Sequence, residues 1–377
     1  MGQRITIQDL HVGEPVRWNV YDQHGTLLLR SGELVPNERA IERLVENGLF
    51  VQDDDHGGGH APEVVPTEPP STLQHIVDAR RYLAALFAQP PDQLSDFSGR
   101  IDKTIESVLV ASEVQPILSL ASVLLVQDMP YSVRHPVDVA ILSRLLAKAL
   151  ELDADTQRLT VAASVTMNVG MYEIQEKLNG ISGPLNDKLQ EMIKRHPALG
   201  VARLRKLGIT DEKWLTLVHQ HHELADGTGY PAGLAGEAIE IGARIIGVAS
   251  KYCAMVSARN YRAPLKPTTA LRELCVKQGP KIDTKVAGAL IRILGIYPPG
   301  TLVRLKTAEI GVVTGPGLAP DTPSVHAVLG RSGAALEVAS HRKTHLAHFA
   351  IDEVLSLNQL MVPIRLASIW GRDAKLS

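Results

Sequence analysis

The chain has 377 residues, 45% hydrophobic and 21% charged, enough to bury a substantial core and to form two or three domains. Its 39 basic and 41 acidic side chains leave a formal net charge of −2, which excludes a global field that would draw in nucleic acid or an anionic membrane; any phosphate binding has to come from a local site. Two cysteines, Cys253 and Cys275, are too few for a disulfide framework and read as buried free thiols on helices in a reducing cytoplasm.

In chain order, residues 1–52 read as a small α+β module. Short alternating runs (Arg4 to Ile7, Pro15 to Asp22) lead through a His24-Gly25 turn into Leu27 to Arg30, a hairpin pattern, and Asn37 begins a short amphipathic helix through Leu44. No signal-peptide core follows Met1. Residues 53–71, with their acidic, Gly-rich and Pro-rich runs, cannot pack a core and read as a mobile linker; His56 and His60 are read as part of it rather than as metal ligands.

From 72 to 297 apolar residues recur at spacings of three and four, as in Val137, Ala140, Ile141, Leu145 and Ala149, which predicts a helical bundle. Its most apolar stretch, Ile117 to Val126, is interrupted by Ser119 and Ser122 and falls short of the ~20 apolar residues a membrane span needs. It reads as a core helix. Residues 298–377 alternate between Gly and Pro turns, with strands expected at Leu302 to Leu305, Ile310 to Val313 and Val325 to Leu329, and a terminal helix. The expected fold is therefore mainly α, a helical bundle between a small N-terminal α+β module and a small C-terminal β-rich domain.

The chemistry concentrates in the bundle. His135, His196, His221 and His222 lie on helical segments or at their ends, and neutral imidazole is a strong ligand for first-row transition metals. The adjacent pair His221-His222 is followed by Glu223 and by the loop Asp226-Gly227-Thr228-Gly229-Tyr230-Pro231, where glycines permit backbone conformations closed to other residues. Arg244, Arg259 and Arg262 have the planar fork that binds phosphate bidentately, although Arg244 can equally pair with a buried acid.

These elements, continued by Gly233-Leu234-Ala235-Gly236, Ala243-Arg244-Ile245-Ile246 and Arg259-Asn260-Tyr261-Arg262, resemble the HD-GYP branch of the HD superfamily. Lys194-Arg195-His196-Pro197 with Gly200 is similar to the family's preceding helix, and Tyr131 with His135-Pro136 to its first helix. The resemblance implies a bundle that holds two or three metals, typically iron or manganese, and hydrolyses cyclic di-GMP. It also implies a bacterial signalling role, with diguanylate cyclase domains or other signalling proteins as possible partners of the GYP loop.

The sequence departs from that family at the residues expected to be catalytic. The adjacent His-Asp pair aligns on Met167-Asn168, the lysine that follows shortly on Met171, and the carboxylate of the Val-Ala-Asp run on Ser250. Tyr131 stands where trinuclear members carry a glutamate. A thioether is a poor ligand for hard cations, and a carboxamide has no charge to offset two dications. His196, His221 and His222 remain as metal ligands, with His135 as an accessory candidate. Two readings follow: a degenerate, regulatory protein that binds a protein or a nucleotide with weak or no hydrolysis, or an active metal-dependent cyclic di-GMP phosphodiesterase with an altered metal shell. In the first, the histidines are satisfied core residues that donate to carbonyls or to Glu223 and Asp226.

Overall fold

The computed structural model describes residues 69–89, 95–171, 186–258, 263–360 and 362–376, with Gln3, Arg4, Val16, 19–21, 27–29, Glu33, Ile41, Phe50 and Val51 of the N-terminal stretch. The helix expected from Asn37 to Leu44 (apart from Ile41), the linker histidines His56 and His60, and Arg259 to Arg262 lie outside the described residues.

Two compact units are present, Met1–Pro69 and Pro70–Ser377. The first holds a four-stranded antiparallel sheet in the order β1-β4-β2-β3, from β1 (Gln3–Arg4), β2 (Val20–Tyr21), β3 (Leu27–Leu29) and β4 (Phe50–Val51). The expected hairpin is there: Val20 faces Leu29 and Tyr21 faces Leu27.

Among the described residues the second unit begins with ten α-helices: α1 (Thr72–Phe87), α2 (Phe97–Val114), α3 (Pro116–Leu125), α4 (Tyr131–Ala149), α5 (Ala154–Thr166), α6 (Asp187–Lys206), α7 (Glu212–Gln220), α8 (Ile241–Val256), α9 (Pro267–Arg272) and α10 (Thr284–Leu294). Their starts are written locally. Side chains of Ser71, Asp153, Asn186, Asp211 and Asp283 each accept a first-turn backbone N–H of α1, α5, α6, α7 and α10, which answers donors that a helix start leaves unpaired. Pro116 occupies the first turn of α3, where its missing N–H costs nothing, and the chain bends by 116° between α2 and α3. Among the described residues no single helix is long and apolar enough to cross a membrane.

One continuous apolar core runs through these helices, including Ile101, Ile105, Val137, Ile141, Val161, Val165, Leu217 and Ile246. Within it lies a buried ionic tie. Arg80 of α1 donates to Asp138 of α4 at 2.7 Å, with both side chains wholly buried, and to Asp128 at 2.5 Å. Cys253 is buried on α8; Cys275 is only half-buried, in the π-helical turn Glu273–Lys277 after α9.

The C-terminal part is a five-stranded antiparallel sheet in the order β8-β7-β6-β5-β9, made of β5 (Leu302–Leu305), β6 (Ile310–Gly315), β7 (Ser324–Leu329), β8 (Ala335–Lys343) and β9 (Ile351–Leu355), followed by the short α11 (Ala367–Trp370). Alternation sorts its side chains: Leu302 and Val312 pack on one face with Leu125 and Trp370, while Val303 and Val313 pack on the other with Tyr297 and Phe349. The mainly helical architecture with a β-rich end matches the expectation. β8 and β9 are additions to it. Both are edge strands, and together they bury only Leu355 fully, so they carry little of the apolar alternation by which a strand is recognised.

Candidate functional site: a three-histidine cluster

Three imidazoles converge from the middle of one helix and the end of another. His196 lies midway along α6, while His221 and His222 close the C-terminus of α7; one ligand atom from each lies within 4.8 Å of the others. His196 and His221 are buried and His222 is half-buried. The Nε2 atoms of His196 and His221 stand 3.2 Å apart.

Backbone carbonyls set the ring orientations. His196 Nδ1 lies 2.5 Å from the carbonyl oxygen of Ile193, and His221 Nδ1 lies 2.6 Å from that of Val218. A carbonyl only accepts, so both Nδ1 atoms carry the proton and both Nε2 atoms present lone pairs. Two lone pairs at 3.2 Å repel unless a cation lies between them. Two nitrogens on one tetrahedral zinc, at ~2.0–2.1 Å each, stand about 3.3 Å apart, which is close to what is found here.

Burial keeps these rings neutral. Desolvation lowers the pKa of His196 to about 4 and that of His221 to about 3, and it drives His222 well below its ordinary value, helped by His221, His196 and Lys251. Neutral imidazole is the ligand form, so the donor set fits one divalent cation.

The histidines do not donate to Glu223 or Asp226, contrary to that part of the expectation, because both acids are engaged elsewhere. Glu223 accepts the backbone N–H of Ala232 at 2.6 Å and of Leu234 at 3.0 Å. Asp226 accepts from Thr228 N–H at 3.0 Å and from its hydroxyl at 2.6 Å. Glu223 thus clamps the far arm of the GYP loop onto the helix end. At Gly229 an added Cβ would lie 2.4 Å from Leu224 N and 2.5 Å from Glu223 Cα, so only glycine lets the loop lie this close. The result is that Tyr230 stacks on His222, ring centroids 4.7 Å apart, and covers one side of the cluster.

The remaining sequence-identified positions lie around this centre. His135 stacks on Tyr131, and its Nε2 is 3.3 Å from Ser250 Oγ; it lies outside the group of three converging donors. Met167 ends α5 and is wholly buried in the apolar core, with Asn168 nearly buried beside it. The following turn, through Met171, lies against α6: a Cβ on Gly170 would be 2.2 Å from the His196 carbonyl oxygen. Arg244 pairs with Asp283 at 2.7 Å, and Asp283 also caps α10, so the acid partner prevails over a free phosphate-binding fork. Asp226, Gly227, Gly229, Tyr230 and Pro231 form one loop, whose Gly227 adopts φ +78°. Among the described residues no Asp, Glu or Cys joins the three-histidine group.

Sequence reading overlooked Lys251 and Lys281. Both line a small cavity with His221, Glu223, Arg244 and Asp283. The available signal was helical spacing, since Lys251 follows Arg244 by seven residues on α8.

The class defined by fold and site is a helical bundle that gathers, from successive helices, three histidines able to hold a metal ion. Residues 107–286 match the HD domain family. In this region it is similar to a cyclic di-GMP phosphodiesterase of Pseudomonas aeruginosa, 33% identical over 48% of this chain and 44% of the relative. A cyclic di-GMP phosphodiesterase response regulator of Xanthomonas campestris pv. campestris is 32% identical over 39% of each chain. The matched stretch thus spans less than half the length of either relative. A solved structure of an HDG"Y"P protein from Bdellovibrio bacteriovorus superposes with a TM-score of 0.47 at 17% identity, covering 78% of this chain and 99% of that one. The expected kinship with cyclic di-GMP phosphodiesterase-like HD domains is borne out.

Proposed function

We propose that this protein is a cytoplasmic regulator that binds cyclic di-GMP at an HD-GYP-like site, holds at most one divalent cation, and hydrolyses the nucleotide weakly or not at all. The observation that carries this reading is the donor set: three neutral imidazoles whose ligand atoms converge, with no carboxylate joining the group among the described residues. His196, His221 and His222 would hold an iron, manganese or zinc ion, and such an ion supplies Lewis acidity and a bound water of lowered pKa. A two-cation clamp needs a bridging carboxylate to offset the charge of both ions. Met167 and Asn168 stand where the resemblance puts the His-Asp pair, and Ser250 where it puts the second acid.

The test is metal content by elemental analysis of protein purified without chelator, together with a cyclic di-GMP binding and hydrolysis assay in added iron and manganese. One metal or none, with binding and little turnover, is the expected result. Two or more metals with turnover at rates typical of phosphodiesterases would establish the other reading, an active enzyme with an altered shell. A protein-partner role for the GYP loop is supported by its form, since Glu223 holds it in place while Pro231, Ala232 and Gly233 are exposed. Capture of a diguanylate cyclase domain by the wild-type chain, lost on Pro231→Asp, is the outcome that this role requires.

A further inference from the structure

Beside the histidines lies a cationic surface that the metal site does not use. On α8, Arg244, Gly247 and Lys251 recur at spacings of three and four, and this face lines a cavity of about 20 Å³ with His221, Lys281 and Asp283. The volume admits one water-sized group, such as a phosphate oxygen, and excludes a base.

Every acid bordering this cavity is committed within the protein. Asp283 is held by Arg244 and by the N-terminus of α10, Glu223 by two loop amides, and nearby Asp226 by Thr228. The two lysines are different. Neither Lys251 nor Lys281 has a side-chain hydrogen-bond or ion-pair partner among the described residues, although Lys251 is half-buried and feels the positive charge of Lys281. Burial and Lys281 both disfavour the Lys251 ammonium, and the nearby Asp226 carboxylate, which makes no ion pair with either lysine, offsets this only in part. The field of Lys251 also reaches His222, so a divalent cation on the histidines would add to the imbalance. An anion placed between the histidines and the lysines relieves all of these repulsions together.

We propose that Lys251, supported by Lys281, receives a phosphodiester oxygen of a nucleotide bound over the three-histidine cluster. This assignment rests on the nucleotide-binding reading above and adds a residue to it. Lys251 acts by charge, so arginine replaces it and methionine, similar in length and apolar, does not.

The experiment is calorimetric titration of the full chain with cyclic di-GMP at low and high salt, for wild type, K251R, K251M and K281M, with elemental analysis of each. Affinity should fall about tenfold in K251M, which corresponds to ~1.4 kcal/mol, and by a smaller factor in K281M. It should stay within about threefold of wild type in K251R, and the salt dependence should flatten in K251M. Metal content should not fall in any variant, since losing a nearby positive charge does not weaken a cation site. Wild-type affinity in K251M, or an equal loss in K251R, overturns the assignment of Lys251 and leaves the nucleotide reading standing. Inorganic phosphate binding as tightly as cyclic di-GMP overturns the assignment to a nucleotide. Failure of the wild-type chain to bind cyclic di-GMP overturns the nucleotide reading itself, and this inference with it.

Discussion

Pro197 orients its neighbour His196 by leaving a carbonyl free. A helix pairs the carbonyl of residue 193 with the N–H of residue 197, and proline has no N–H to offer, so the oxygen of Ile193 accepts His196 Nδ1 at 2.5 Å instead. His221 has the same arrangement by another route. It follows the last residue of α7, where the Val218 carbonyl is among those that a helix end leaves without a partner. Both rings are thereby fixed in the tautomer that turns Nε2 inward.

Pro197→Ala restores the competing N–H and should loosen His196 without unfolding α6. Orienting partners of metal-bound histidines are worth about 10–100-fold in metal affinity, so a loss of about tenfold is expected in a competitive zinc or manganese titration. Helix content by circular dichroism should hold or rise. Unchanged metal affinity would mean that packing alone orients the ring.

The buried neutral histidines predict a pH dependence of defined sign. His196 and His221 titrate at about 4 and about 3 in the folded protein, against an ordinary value of 6.5, with burial the leading cause. Below pH ~6.5 the unfolded chain takes up protons that the folded chain refuses, so stability falls as the pH drops toward 4. Each histidine contributes up to ~1.4 kcal/mol per pH unit in that window. Urea unfolding of chelator-treated protein at about pH 7 and about pH 5 measures the slope, and a His196→Gln, His221→Gln double variant should lose most of it.

Removing Arg80 should expose the cost of an unpaired buried acid. Arg80→Met leaves Asp138 wholly buried without its 2.7 Å partner, a change that destabilises by about 3–5 kcal/mol. Replacing both residues, as Arg80→Met with Asp138→Leu, should recover part of the loss, because the unpaired acid is gone while the buried Arg134, 4.0 Å from Asp138 in the wild type, loses its partner. Chemical denaturation of the single and double variants distinguishes this from a simple packing defect.

A reversion tests the reading of the ligand shell. Met167→His with Asn168→Asp and Ser250→Asp places three more ligand groups around a cluster whose backbone is already close-packed, with the Gly170 turn against His196 and Ser250 near His135. Metal stoichiometry by elemental analysis should rise from at most one toward two per chain, with Met171→Lys added last because it concerns substrate. Unchanged stoichiometry would show that the backbone no longer presents these positions to a metal.

Much of the protein was legible in one dimension because its signals are local. Helix starts are marked by Ser71, Asp153, Asn186, Asp211 and Asp283, the bundle by spacings of three and four, and the GYP loop by contiguous residues whose conformations depend on immediate neighbours. The edge strands β8 and β9 were less legible, since a strand at a sheet edge that buries few side chains has little need for apolar alternation.

By itself, then, the sequence determined the helical framework, the identities of the candidate ligands and the acids missing from that set. Tertiary structure decided what those residues face. Periodicity assigns a residue to one side of its own helix and says nothing about the element packed opposite. Only the packing of α6 against α7 sets two Nε2 atoms 3.2 Å apart, and only the meeting of α8 with the start of α10 gives Arg244 to Asp283 across 39 positions. The same packing commits the neighbouring acids to amides and hydroxyls, and that is why Lys251 and Lys281 are left without a side-chain hydrogen bond or ion pair among the described residues, with Asp226 acting on them only at a distance.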